Sequence, residues 1–205
     1  MAEKGAPSAR YYHSMAWTGA ELLLWGGYNA VDWPAGLGDG AAYDPASDTW
    51  RPLSSAGAPQ GRSSHSAVWT GSAMIVFGGI GCGDSGSGPA LCQGGGRYDP
   101  VADRWDSLSP FDAPSARTGH SAVWTGHEMI VWGGQSAQCQ YGSACADGAA
   151  YDPDTDRWRA LAVPPFVGPR AMHVAVWTGT AMLVWGGAVE AWLHTGFVFT
   201  PNPSP

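Results

Sequence analysis

A chain of 205 residues, 44% hydrophobic and carrying 12 tryptophans, is long enough to bury one sizeable core, and 30 glycines with 16 prolines suit strands joined by turns. The formal charge of -7, with a single lysine (Lys4), leaves no basic stripe for a phosphate backbone and excludes nucleic acid as an expected partner. No apolar run is long enough to cross a bilayer, and residues 1–9 (MAEKGAPSA) lack the apolar centre of a signal peptide, so membrane insertion is not expected.

After the linker 1–9 the chain repeats itself. RYYHSMAWTGAELLLWGG from Arg10 returns as RSSHSAVWTGSAMIVFGG from Arg62, RTGHSAVWTGHEMIVWGG from Arg117 and RAMHVAVWTGTAMLVWGG from Arg170. The interval is about 50 residues, which marks a propeller or solenoid. Glycine pairs at Gly26, Gly78, Gly133 and Gly186 keep a constant distance from His13, His65, His120 and His173, so each copy is a rigid unit. Within it, two short β-branched and aromatic runs flank Thr-Gly-x-x, which predicts a hairpin. A third strand ends at Tyr43-Asp44-Pro45, Tyr98-Asp99-Pro100 and Tyr151-Asp152-Pro153, where Asp starts a turn and Pro presets the following φ. Trp50, Trp105 and Trp158, each followed by a leucine, predict a fourth strand.

The order Arg, His, apolar hairpin, Gly-Gly, Tyr-Asp-Pro, Trp resembles the kelch repeat over nearly the whole chain. The resemblance implies an all-β protein: a β-propeller of four kelch-type blades, each a four-stranded antiparallel sheet, with the last blade incomplete. The boundaries are linker 1–9, blade one 10–61, blade two 62–116, blade three 117–169, partial blade four 170–201 and tail 202–205. A lone sheet cannot bury its own faces, so each blade needs its neighbours for a core. Blade four reaches its third strand with Phe199 in the tyrosine position and has no fourth-strand tryptophan. The N-terminus does not supply that strand, because Gly5-Ala6-Pro7 echoes the linker Gly57-Ala58-Pro59. Three outcomes follow: a small four-bladed ring, which is the leading expectation, an arc that pairs with a second copy to make about eight blades, or a piece of a longer kelch protein. The chain is expected as a monomer or homodimer.

All four cysteines fall between strands two and three: Cys82 with Cys92, and Cys139 with Cys145. Two loop-closing disulfides are expected; zinc is the rival, but neither pair has CxxC spacing and no histidine lies in these loops. Structural bridges belong outside the cytosol, so a secreted, periplasmic or cell-surface location is expected.

Function is sought on the scaffold, since no Ser/His/Asp order, HExxH or phosphate-binding glycine loop is present. Arg10/His13, Arg62/His65, Arg117/His120 and Arg170/His173 stand three residues apart at the head of each inner strand. Propeller symmetry would gather them into a collar suited to a carboxylate, phosphate or acidic peptide, and kelch adaptors that contact acidic peptides point the same way. The competing reading is structural, with the arginines paired to Asp44, Asp99 and Asp152 or to Asp48, Asp103 and Asp156. The histidines align with core tryptophans and are expected to bond backbone at blade junctions rather than hold metal. Ten tryptophans fit core strand positions; Trp33 and Trp192 stand outside the pattern in loops between strands two and three, and join the binding candidates. Some kelch propellers are copper oxidases or sugar-acid epimerases, but the cysteines here are better used as bridges. The expectation is a non-catalytic binding or scaffolding module without cofactor or metal, meeting a protein, peptide or glycan; the alternative is a carbohydrate-binding or carbohydrate-active propeller.

Overall fold

A computed structural model describes residues 1–31, 35–83, 90–139, 144–162 and 167–201. The described residues contain fifteen strands in four antiparallel sheets and no helix. Blade one holds β1 (Ser14–Trp17), β2 (Leu22–Trp25), β3 (Gly40–Asp44) and β4 (Thr49–Pro52), hydrogen-bonded in that order. Blade two repeats it with β5 (Ser66–Trp69), β6 (Met74–Phe77), β7 (Gly95–Asp99) and β8 (Arg104–Ser107), and blade three with β9 (Ser121–Trp124), β10 (Met129–Trp132), β11 (Gly148–Asp152) and β12 (Arg157–Ala160). Blade four stops at three: β13 (Val174–Trp177), β14 (Met182–Trp185) and β15 (Gly196–Phe199). The blades fall into two compact units, Met1–Leu108 and Ser109–Pro205.

The hairpins form as the Thr-Gly-x-x spacing predicts. Thr125 Oγ1 accepts the N–H of His127 and of Glu128, while Gly126 takes φ 104°, a conformation open to glycine. At the other end of the sheet, Asp44 opens its turn by accepting the Ala46 N–H at 2.8 Å. The second aspartate of each turn does more. Asp103, at φ 47°, accepts the Tyr98 hydroxyl at 2.5 Å and the Ser54 N–H at 3.0 Å, which draws its carboxyl below the usual range.

The linkers dock by a common rule. Trp105 donates its indole N–H to Ser54 O at 3.1 Å, and Trp158 donates to Ser109 O at 3.0 Å. Trp50 donates to Ala2 O at 3.0 Å, and Asp48 accepts the Ala2 N–H. Residues at the N-terminus therefore occupy on blade one the place that a preceding linker takes on blades two and three, as the Gly-Ala-Pro echo predicts.

In each unit the core lies between its two sheets. In the first, Leu23, Trp25 and Ala42 pack against Met74, Val76, Tyr98 and Trp105; in the second, Ile130, Trp132 and Ala150 pack against Met182, Val184 and Phe199. Each large side chain buried this way contributes about 1.5–3 kcal/mol. Two of the ten pattern tryptophans depart from the expected core: Trp17 and Trp185 are more than half exposed. Trp185 lines an apolar groove on blade four together with Val174, Val176 and Leu183.

Both expected disulfides are present, Cys82–Cys92 and Cys139–Cys145, with Cα atoms 5.1 and 5.2 Å apart. Asp147 lies close to the second pair, but bonded sulfurs have no thiolate to offer a metal.

Candidate functional site

The arginines point into the blades, and the exposed collar gives way to an internal strut. Arg117, fully buried, donates from Nη1 to Gly133 O and from Nε to Ser115 O, both at 3.0 Å. Arg62 makes the same bonds to Gly78 O and Gln60 O, with Gly94 O at 2.8 Å; Arg170 reaches Gly186 O and Thr195 O. Arg10 bonds Gly26 O and lies against the Asp39 carboxylate at 2.9 Å, which holds that carboxyl below its ordinary value. The physical reason is local: the turn after β2 and the start of β3 leave carbonyls converging beside the arginine, and a guanidinium fork satisfies several at once. The anionic partners are thus Asp39 and Asp147 of the same blade, not the turn aspartates expected from the sequence. Among the described residues the acceptors of Arg62 are carbonyls, and burial draws its pKa down to about 10.

His65 and His173 sit at blade junctions, as expected, but against a side chain rather than backbone. His65 Nε2 meets Ser14 Oγ of the preceding blade at 2.7 Å, and its ring lies edge-on to Trp25 at 5.2 Å. His173 repeats this with Ser121 Oγ at 2.8 Å and Trp132 at 5.0 Å. His13 and His120 occupy the same position in their repeats, each with a buried Nδ1 that finds no hydrogen-bond acceptor.

His173 supplies a measurable consequence. Burial, reinforced by the Arg170 guanidinium, pushes its pKa from 6.5 down to about 4. An imidazolium would also place a proton on Nδ1, which has no acceptor. The unfolded chain takes up that proton below pH 6.5 and the folded chain does not, so this stabilisation is complete above pH 6.5 and falls as pH drops toward 4, by about 3 kcal/mol in full. Urea midpoints at pH 7.5 and 4.5 should therefore differ more for the wild type than for His173→Gln; equal pH dependence in the two would refute the assignment.

Of the loop candidates, Trp33 lies outside the described residues. Trp192 is 79% exposed, bridged to Ala188 in the loop between β14 and β15.

A further cluster lies in the first unit. Tyr11 and Tyr28 exchange backbone hydrogen bonds at 3.0 Å, which sets their rings 4.0 Å apart; Tyr12 stacks on Tyr28 with centroids 5.8 Å apart and planes 12° off parallel. Tyr12 has φ 55°, the left-handed conformation that Ser64 and Met172 share at the same repeat position. Its carbonyl accepts the Ser64 N–H at 3.0 Å, so the patch is anchored to the blade junction. The hydrogen bond that Tyr28 donates to Tyr11, with partial burial, pushes the Tyr28 pKa up to about 12, so its hydroxyl is neutral at physiological pH. The signal was available in register: Tyr11 and Tyr12 stand where the other repeats have Ser63-Ser64, Thr118-Gly119 and Ala171-Met172, and Tyr28 aligns with Ile80, Gln135 and Ala188.

Residues 1–187 match the KLHDC2/KLHL20/DRC7 Kelch-repeats domain. Among similar proteins are the Rho GTPase-activating protein gacHH of Dictyostelium discoideum, 31% identical over 64% of this chain and 9% of that protein, and the F-box/kelch-repeat protein At1g16250 of Arabidopsis thaliana, 27% identical over 79% and 41%. Adagio-like protein 3 of Oryza sativa subsp. japonica is 29% identical over 93% of this chain and 31% of its own length. The chain spans less than half the length of each of these relatives. With four sheets in repeat register, a buried arginine and a junction histidine repeated along the chain, and a family match over most of its length, this chain belongs to the kelch-repeat family.

Proposed function

We propose that the chain is a non-catalytic binding module that takes a protein or peptide partner on the tyrosine patch of its first unit. One observation carries the reading. The four repeat arginines and the fourth-strand tryptophans Trp50, Trp105 and Trp158 are engaged by carbonyls within their own units, whereas Tyr11 and Tyr12, present in one repeat only, are 45% and 61% exposed. Three adjacent rings bearing hydroxyls offer apolar area and hydrogen bonds on rigid side chains, the chemistry of protein interfaces. The two disulfides favour a secreted, periplasmic or cell-surface setting for this work.

Peptide display against the intact chain tests it. Peptides enriched on the wild type are expected to lose at least about tenfold in affinity for Tyr12→Ala and for Tyr28→Ala, each the truncation of an anchoring aromatic. Full retention by both variants, with their melting unchanged, would sink the proposal. A glycan partner is the second reading, favoured by the exposed indole of Trp192. It predicts binding on a glycan array that Trp192→Ala abolishes and Tyr12→Ala leaves intact.

A further inference from the structure

The linker that docks on a fourth-strand tryptophan occurs three times, and the third copy departs from the other two. Gly5-Ala6-Pro7 and Gly57-Ala58-Pro59 place glycine at left-handed φ, 83° and 74°. In register with them stands Asp112-Ala113-Pro114, with Asp112 held at φ 59°. The residue before it is Phe111, where the second copy has Ala56. Glycine fits a left-handed position better than a residue with a Cβ, so the backbone gains nothing from this exchange.

The two side chains instead border a recess of about 320 Å³, together with Ser109, Asp156, Arg157 and Trp158. All of these residues belong to the second unit. Trp158 is the fixed wall: it is buried, bonded through its indole N–H to Ser109 O, and packed 5.0 Å from the Tyr151 ring. Phe111 is its opposite, 79% exposed and in contact with no other ring among the described residues. Asp112 accepts no hydrogen bond and joins no ion pair among the described residues. Asp156 accepts the Tyr151 hydroxyl and the Ser109 N–H on Oδ1, which leaves Oδ2 open. Arg157 forms no ion pair with either carboxylate among the described residues.

An exposed ring face beside open carboxylate oxygens suits an arginine side chain. The flat guanidinium stacks on an aromatic ring while the donors on its edge reach carboxylates in more than one direction. The first unit holds a template for half of this arrangement. Arg51 sets Nη1 3.4 Å from the Tyr98 hydroxyl and 3.9 Å from Asp103 Oδ1. Tyr151 and Asp156 repeat that tyrosine and aspartate pair, but no basic group of the described residues lies within 4 Å of Asp156. Charge points the same way: the formal charge is -7, and the side chains of Arg10, Arg62, Arg117 and Arg170 are enclosed in the blades. The acidic surface that remains attracts a basic partner.

We infer that the recess between the third linker and the last turn of blade three is a binding site for an arginine side chain of a protein partner. The guanidinium lies on the Phe111 ring and donates to Asp112 and Asp156. The site shares no residue with the tyrosine patch, and either can fail without the other.

Titration of N-acetyl-arginine N-methylamide into the isotope-labelled intact chain, followed by NMR, tests the inference. Saturable shifts are expected at the amides of Phe111 and Asp112 and at the Trp158 indole N–H, with a dissociation constant of about 1–10 mM for so small a ligand. The citrulline counterpart, equal in shape and uncharged, should bind at least about tenfold more weakly. Phe111→Ala combined with Asp112→Gly gives this linker the residues of Ala56-Gly57, so its fold has a precedent within the chain, and unchanged melting verifies it. That variant should also lose at least about tenfold in affinity. If it melts early, Asp112→Asn, which removes the charge alone, decides in its place and should weaken binding. The absence of saturable shifts in the wild type up to about 50 mM overturns the inference. So does equal binding of the citrulline compound, or undiminished binding by the folded variants.

Discussion

Arg117→Ala is expected to destabilise the protein by about 3–5 kcal/mol, read as a lower urea midpoint with little change in slope. The side chain is fully buried and its Nη1 and Nε donate to Gly133 O and Ser115 O at 3.0 Å. Removing it strands those carbonyls without partners, and each buried unpaired group costs about 1–3 kcal/mol. The ion pair with Asp147 is a smaller part of the effect, because that carboxylate is 66% exposed and screened by water. Arg117→Lys should recover only part of the loss, since one ammonium cannot reproduce the planar fork. Arg62→Ala should behave alike, as Arg62 grips Gly78 O, Gly94 O and Gln60 O. A loss below about 1 kcal/mol in both variants, accompanied by loss of binding to an acidic peptide, would restore the collar.

Gly133→Ala and Gly186→Ala form a matched pair with unequal expected effects. The two glycines have nearly the same backbone, φ 68° and 71°, so alanine meets the same left-handed penalty at each, about 1–2 kcal/mol. Only at Gly133 does the new methyl also collide with Arg170 O and His173 Cε1. Backbone cannot swing aside as a flexible side chain can, and the total there should reach about 4 kcal/mol, in the range reserved for core disruption. The difference between the two variants measures how firmly blade four seats on blade three. Equal destabilisation would mean that the junction yields freely.

The sequence by itself determined everything that a short stretch of backbone can specify. Hairpins follow from Thr-Gly-x-x, because the hydroxyl and the positive φ are both supplied within four residues. The turns after β3 follow from Asp-Pro, and the cysteine pairs bridge because few residues separate them. Even the N-terminal linker was legible, since Gly5 and Gly57 both take positive φ against a fourth-strand tryptophan. Tertiary structure decided where polar side chains end. The arginines are regular in sequence, but their acceptors are carbonyls 16 and about 30 residues away, and only the folded loops between β2 and β3 and their equivalents bring those carbonyls together. The histidine partner is a serine one blade back, roughly 50 residues away, beyond any local rule. The tyrosine patch and the apolar groove of blade four are of the same kind. Tyr11 touches Tyr28 because two strands pair, and Trp185 is exposed although its pattern matches that of buried Trp132. Hydrophobic pattern records what a strand is suited to bury; whether a neighbour is there to cover it is a property of the assembled sheets.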